Sequence, residues 1–157
     1  NFGAGRLDRI REAQILSARF ALLYGGAIAV VFFIAAPGLA AIFSKDPKVT
    51  AILIAYIRII SFGYGMMETH RYSGFVLTGL HQPAQSAALN AIRILGLLIP
   101  LSYLGAHCFG VRGVFFARLT TDLLVGAIGW VYVSRVCRRK AAAICSSSAG
   151  PLSSNAP

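Results

Sequence analysis

Glu68, Thr69, His70 and Arg71 stand side by side in a stretch that is otherwise almost uncharged, and Arg118 and Asp122 lie four residues apart in another. A carboxylate in apolar surroundings can hold a proton or exchange it for a cation, which makes Glu68 a candidate for ion coupling. Arg71 lies at i+3 from Glu68, on the same side of a helix, so a simple charge pair is the competing reading, and the two are compatible. His70 lies two residues from Glu68 and points to a different face, so no Glu-His metal site is expected; it reads as a polar core or cavity residue. Arg118 and Asp122 have the i,i+4 spacing of a charge-neutralising bridge facing other helices, with a role in substrate binding as the alternative. Arg93 and Arg58 either reach towards an interface or face a central cavity, the former being favoured for Arg58 near a helix end. No nucleophile, base and oxyanion donor share a recognisable spacing, so no enzyme is expected. Cys108, Cys137 and Cys145 lack metal-ligand or disulfide-framework spacing. Gly3-Ala4-Gly5 lacks the strand and glycine spacing of a phosphate loop.

The elements that carry these residues follow from composition. Of the 157 residues 57% are hydrophobic and only 13% charged, and the mean hydropathy is +0.69. Such a chain belongs to the membrane class. The net charge of +10 does not indicate nucleic acid, because the basic residues bracket lipid-length segments instead of forming one surface. No signal peptide is recognisable.

From Phe20 to Phe43 no residue is charged, and such a run spans about 36 Å as a helix, enough for a bilayer core. Gly25 and Gly26 leave a small-residue strip for a neighbouring helix. Asp46-Pro47 has the chemistry of an N-cap and first helical position, which starts a second helix predicted over about 47–80. Pro83 disfavours helical geometry in His81-Gln82 and separates a third segment, about 84–105, interrupted by Arg93 and Pro100. After the turn in AHCFGVRG a fourth segment covers about 113–134. The expectation is an all-α polytopic bundle: a lead-in over 1–19, four spans within 20–136, and a disordered tail over 137–157.

Four spans place both ends on one side. Arg6, Arg9, Arg11, Arg19, Arg135, Arg138, Arg139 and Lys140 lie in the terminal segments, whereas the opposite loops hold Lys45, Lys48 and Arg112. Both ends are therefore expected in the cytoplasm.

Four stretches together, NFGAGRLDRIREA, DPKVTAILIAYIRIISFGYG, the run from Pro83 through Arg93 to Pro100-Leu101, and FGVRGVFFA, resemble the multidrug and toxic compound extrusion (MATE) family over about residues 1–136. That resemblance implies twelve transmembrane helices in two lobes and export of organic cations by antiport with sodium ions or protons, with no other cofactor. The chain would then match the loop after the eighth helix and helices nine to twelve, a fragment of the C-terminal lobe that is inactive alone and is partnered by the missing N-terminal part. A bacterial inner membrane, lipid contacts, small cationic substrates and no nucleic acid go with this reading. Some sodium-coupled relatives carry an acid near the level of Glu68. Glu68, Arg71, His70, Asp122, Arg118 and Arg93 are the candidates for ion coupling or the substrate cavity. Tyr24, Phe32, Phe33, Tyr56, Phe62, Tyr64 and Tyr72 either pack or line a cavity for flat cations. The rivals are a four-helix scaffold subunit that transports nothing, and a lipid or oligosaccharide flippase of similar architecture.

Overall fold

A computed structural model describes residues 6–148; the Gly3-Ala4-Gly5 turn and the tail beyond Ser148 lie outside them. Helix α1, Leu7–Phe43, runs unbroken through Pro37. α2 is Pro47–Ser61 and α3 is Tyr64–Gly79. α4, Pro83–Ala91, passes through a π-helical segment, Ile92–Leu98, into α5, Ile99–Ser148. α5 is folded double at Gly110, whose φ of 62° and ψ of −146° are not helical. Beyond that corner the two arms meet at Gly105 and Gly113, where an added Cβ would collide with the opposite backbone. The chain therefore makes four antiparallel arms: α1, the α2–α3 pair, 83–109 and 111–148.

Each start has a local cause. The Asp46 carboxylate accepts from the Lys48 amide at 2.8 Å and Pro47 occupies the first turn, as the sequence predicts. α3 ends in a Schellman arrangement: the amides of His81 and Gln82 donate to the carbonyls of Thr78 and Leu77 at 3.0 and 2.9 Å. His81 takes the left-handed position, with φ of 58°, and Pro83 then opens α4.

The interior mixes many polar and small residues with a leucine–valine cluster, and the exterior is largely apolar. Gln14, Ser61, Thr69, His70, Ser73, Thr121 and Asp122 are buried, while Leu23, Ile34, Ile42, Phe43, Tyr103 and Phe109 are exposed. Water would not tolerate that inversion, whereas lipid favours it, since packing there relies on small residues and interhelical hydrogen bonds. The buried hydroxyls of Thr69, Ser73 and Thr121 donate to the carbonyl four residues back and leave no orphan. α1 and the stretch Pro83–Lys140 are long and apolar enough to cross a membrane, and the α2–α3 pair also qualifies if it is counted as one span.

Two boundaries differ from expectation. The helix predicted over 47–80 is two helices bent by 51°. The Gly63 amide turns back to the Ile60 carbonyl at 2.9 Å, and the corner seats Gly63 against the fourth arm, where a Cβ would lie 3.2 Å from Leu119 and 3.4 Å from Asp122. The segment expected to be a disordered tail is helical from Cys137 to Ser148. Cys137 is buried in a cluster with Leu77, Leu80, Leu89 and Val133, and the Lys140 ammonium donates to the Leu80 carbonyl at 2.9 Å. These contacts, with the good helix-forming run Ala141-Ala142-Ala143, extend the arm. The outer corner supplies a test. Gly110→Ala should cost about 1–3 kcal/mol, because only glycine adopts this backbone region without strain, and a lowered unfolding midpoint in detergent would register it.

Candidate polar site within the bundle

Two arms bring Arg93, on 83–109, together with Arg118 and Asp122, on 111–148. Pro100 has no amide for the carbonyl of Gly96 and its ring crowds that oxygen, and the π-helical turns just before it carry Arg93. Such turns are frequent at functional sites. Arg93 Nη2 donates to Asp122 Oδ1 at 3.0 Å, and Arg118 Nε donates to Oδ2 at 2.9 Å. The aspartate is only 3% exposed, against 18% and 35% for the two arginines. Both carboxylate oxygens are committed, and the cluster keeps one net positive charge. Arg118 also reaches the Met67 sulfur at 3.9 Å, a soft contact to α3.

His70 on α3 shares a hydrogen bond of 3.2 Å between Nε2 and Asn90 Oδ1. Its Nδ1 has no partner among the described residues and faces Gly129, where an added Cβ would lie 3.4 Å away. The crevice on the Asn90 side is lined by His70, Arg71, Gly74, Ser86 and Asn90 among others.

Glu68 has a different setting. Its Oε1 accepts from Arg71 Nη1 at 2.7 Å; the arginine is 55% exposed and the glutamate 20%. Among the described residues Oε2 has no hydrogen-bond partner. Glu68 lines a crevice of about 220 Å³ with Tyr24, Gly25, Ile28, Phe32 and Tyr64. The rings of Phe32 and Tyr64 stack with centroids 6.0 Å apart. A carboxylate among aromatic faces can hold a flat cation by charge and by ring quadrupoles.

The six candidates form two ion-paired groups, Glu68–Arg71 and Arg93–Asp122–Arg118, with His70 in a crevice that Arg71 also lines. The Glu68–Arg71 and Arg118–Asp122 pairs form at the expected spacings, and His70 lies apart from Glu68. No group of three or more metal-ligating side chains occurs among the described residues. Arg93 neither snorkels nor stands free, since it holds Asp122 from the neighbouring arm. Charge accounting carries a signal for that contact: the four predicted spans contain only two acids besides the Asp46 cap, and Glu68 already has Arg71. Asn90 lies outside the predicted candidates, and nothing in its neighbourhood marks it. Arg58, near the end of α2, donates to the Phe33 carbonyl at 3.4 Å and lies 4.7 Å from the centre of its ring. Of the seven aromatic residues, Tyr24, Phe32 and Tyr64 line the Glu68 crevice, whereas Phe33 packs on Phe62 and Tyr56 on Phe115.

Comparison with known proteins gives a consistent picture. The sequence profile of the MatE family matches residues 1–104. A protein of Shewanella oneidensis described as a FAD transporter is 32% identical over 137 residues, covering 87% of this chain and 30% of that protein. The crystal structure of the Vibrio cholerae MATE transporter VcmN in its bent form matches with a TM-score of 0.83 at 24% identity, over 88% of this chain and 32% of that one. A mutant of the same transporter matches with a TM-score of 0.82. The chain spans about a third of the length of these relatives.

Proposed function

Because the chain belongs to the MatE family of membrane transporters, we propose that it supplies part of the C-terminal lobe of a secondary exporter, moving organic cations outwards in exchange for sodium ions or protons, with Glu68 as the coupling carboxylate. The observation that carries this reading is the contrast between the two buried-side acids. Asp122 has both oxygens bound by arginines, whereas Glu68 has one oxygen without a hydrogen-bond partner among the described residues and opens on an aromatic crevice. A coupling acid must exchange its ligand during each cycle, which only Glu68 can do without breaking an interhelical tie. The bacterial cell membrane is the proposed location, with both ends cytoplasmic. The joining of α1 to the last arm through Gln14 and Ser134, at 3.2 Å, supports that placement by putting both basic ends together.

A second reading has its own observation. The Shewanella relative is described as a FAD transporter, and FAD is anionic; the surplus positive charge of the Arg93–Asp122–Arg118 cluster suits an anionic substrate instead. The complete transporter in liposomes separates the two. Under an imposed sodium or proton gradient, Glu68→Gln should slow movement of a fluorescent organic cation about ten- to a hundredfold, the usual range for coupling between sites, at undiminished protein yield. Lost yield that recovers on also neutralising Arg71 would reduce Glu68 to a structural pair. Gradient-driven movement of FAD but not of the cation would favour the anionic reading.

A further inference from the structure

Where α1 meets the last arm, two arginines close over a small crevice. Arg11 on α1 and Arg138 on α5 line it, with Gln14 and Ser134 between them and Trp130 beside them; its volume is about 130 Å³. Gln14 is buried and donates through Nε2 to the Ser134 hydroxyl at 3.2 Å. That bond joins residues 120 apart in sequence and fixes the distance between the two guanidinium-bearing turns. The serine oxygen accepts from the amide and keeps its own proton to donate. Among the described residues neither arginine forms an ion pair, and Glu12, the next residue to Arg11, bonds to neither. This end of the bundle holds eight basic side chains in sequence against Asp8 and Glu12.

The crevice does not end there. It shares Ile15 and Trp130 with a largely apolar groove of about 410 Å³ that runs between α1 and the last arm along Ala18, Leu22, Ala127 and Val131 to Met66 and Thr69 on α3, with Arg19 as the one charged residue on its wall. A donor-rich mouth too small for a drug-sized molecule thus opens into an apolar channel on the lipid-facing surface. Trp130 lines both cavities, five residues before the basic run that begins at Arg135, and tryptophan favours the membrane–water interface.

We propose that this composite cleft binds one anionic phospholipid, its phosphate held by Arg11, Arg138 and the Ser134 hydroxyl and one acyl chain lying in the groove past Trp130. Basic pockets between transmembrane helices recognise lipid headgroups by the same charge-assisted hydrogen bonds that hold any phosphate. The apolar groove is what distinguishes a lipid from free phosphate. The site is independent of which solute the transporter carries.

Trp130 is the only tryptophan in the chain, so it reports on the cleft without labelling. The complete transporter, with any tryptophan outside this chain replaced by phenylalanine, is reconstituted in mixtures of phosphatidylglycerol and phosphatidylcholine in which one or the other carries brominated acyl chains, and quenching of Trp130 gives the relative affinity. Phosphatidylglycerol should be preferred about thirtyfold, the scale expected for two arginines near a membrane surface. The double variant Arg11→Gln/Arg138→Gln should lose the preference, and Arg135→Gln/Arg139→Gln, which removes the same charge nearby, should keep it. Equal quenching by the two lipids in the unmodified chain would overturn the proposal with no variant needed. Equal loss of preference in both double variants would reduce it to diffuse attraction. Displacement of the brominated lipid by millimolar inorganic phosphate would identify a free-phosphate site instead.

Discussion

Asp122→Asn is expected to lower stability by about 3–5 kcal/mol, the cost of breaking a buried ion pair from one side. The substitution keeps the shape of the side chain and removes the charge that, among the described residues, neutralises Arg93 and Arg118, so two guanidinium groups are left around a neutral amide. Removing one arginine has a different consequence. In Arg118→Gln the remaining Arg93–Asp122 pair is neutral and still ties 83–109 to 111–148, so that variant should lie within about 1 kcal/mol of the parent, as partly exposed pairs usually do. Arg93→Gln also leaves a neutral pair, Arg118 with Asp122, but one contained in a single helix, and should fall between the other two because the cross-arm tie is gone. Unfolding midpoints of the purified protein in detergent order the three variants. Equal midpoints for Asp122→Asn and Arg118→Gln would show that the surplus charge is already screened and that the cluster does not hold the arms together.

The second large effect is expected at the crossing of α1 and α3. A Cβ on Gly25 would run into the Cα and amide nitrogen of Gly65 and lie 3.2 Å from the Tyr64 carbonyl carbon. Every atom it meets is backbone, so no side chain can rotate aside and the two helices must separate. Gly25→Leu should therefore cost about 3 kcal/mol, the upper end of ordinary overpacking. Its control is one residue away, since a Cβ on Gly26 meets nothing within 4 Å. Gly26→Leu should leave the midpoint close to that of the parent. Because Gly25 also lines the crevice of Glu68, Tyr24 and Phe32, separation of the helices should disturb that crevice too, and the same variant should weaken binding of a fluorescent aromatic cation. Unchanged stability in Gly25→Leu would mean that α1 and α3 do not cross at this pair of glycines.

The amino-acid order determines by itself those features whose causes are local. Lipid-length apolar runs fix the membrane class, Asp46-Pro47 and His81-Gln82-Pro83 fix where helices begin and end, and the spacings of Glu68 with Arg71 and Arg118 with Asp122 fix two ion pairs, because one helix turn brings each pair together wherever the helix lies. Gly25 announces a close approach, although nothing local says that Gly65 is what approaches it. The features decided by the tertiary structure involve residues far apart in the chain. The corner at Gly63 lies against the fourth arm, and Cys137 to Ser148 stay helical as Cys137 packs with Leu77 and Leu80 while Lys140 reaches the end of α3. The same holds for Arg93 with Asp122, His70 with Asn90, and Arg11 beside Arg138. Sequence periodicity specifies which side of a helix a residue occupies. Which helix that side meets, and at what height, is set by how the small residues allow the arms to pack, and it is that choice which commits both oxygens of Asp122 while leaving one oxygen of Glu68 without a partner among the described residues.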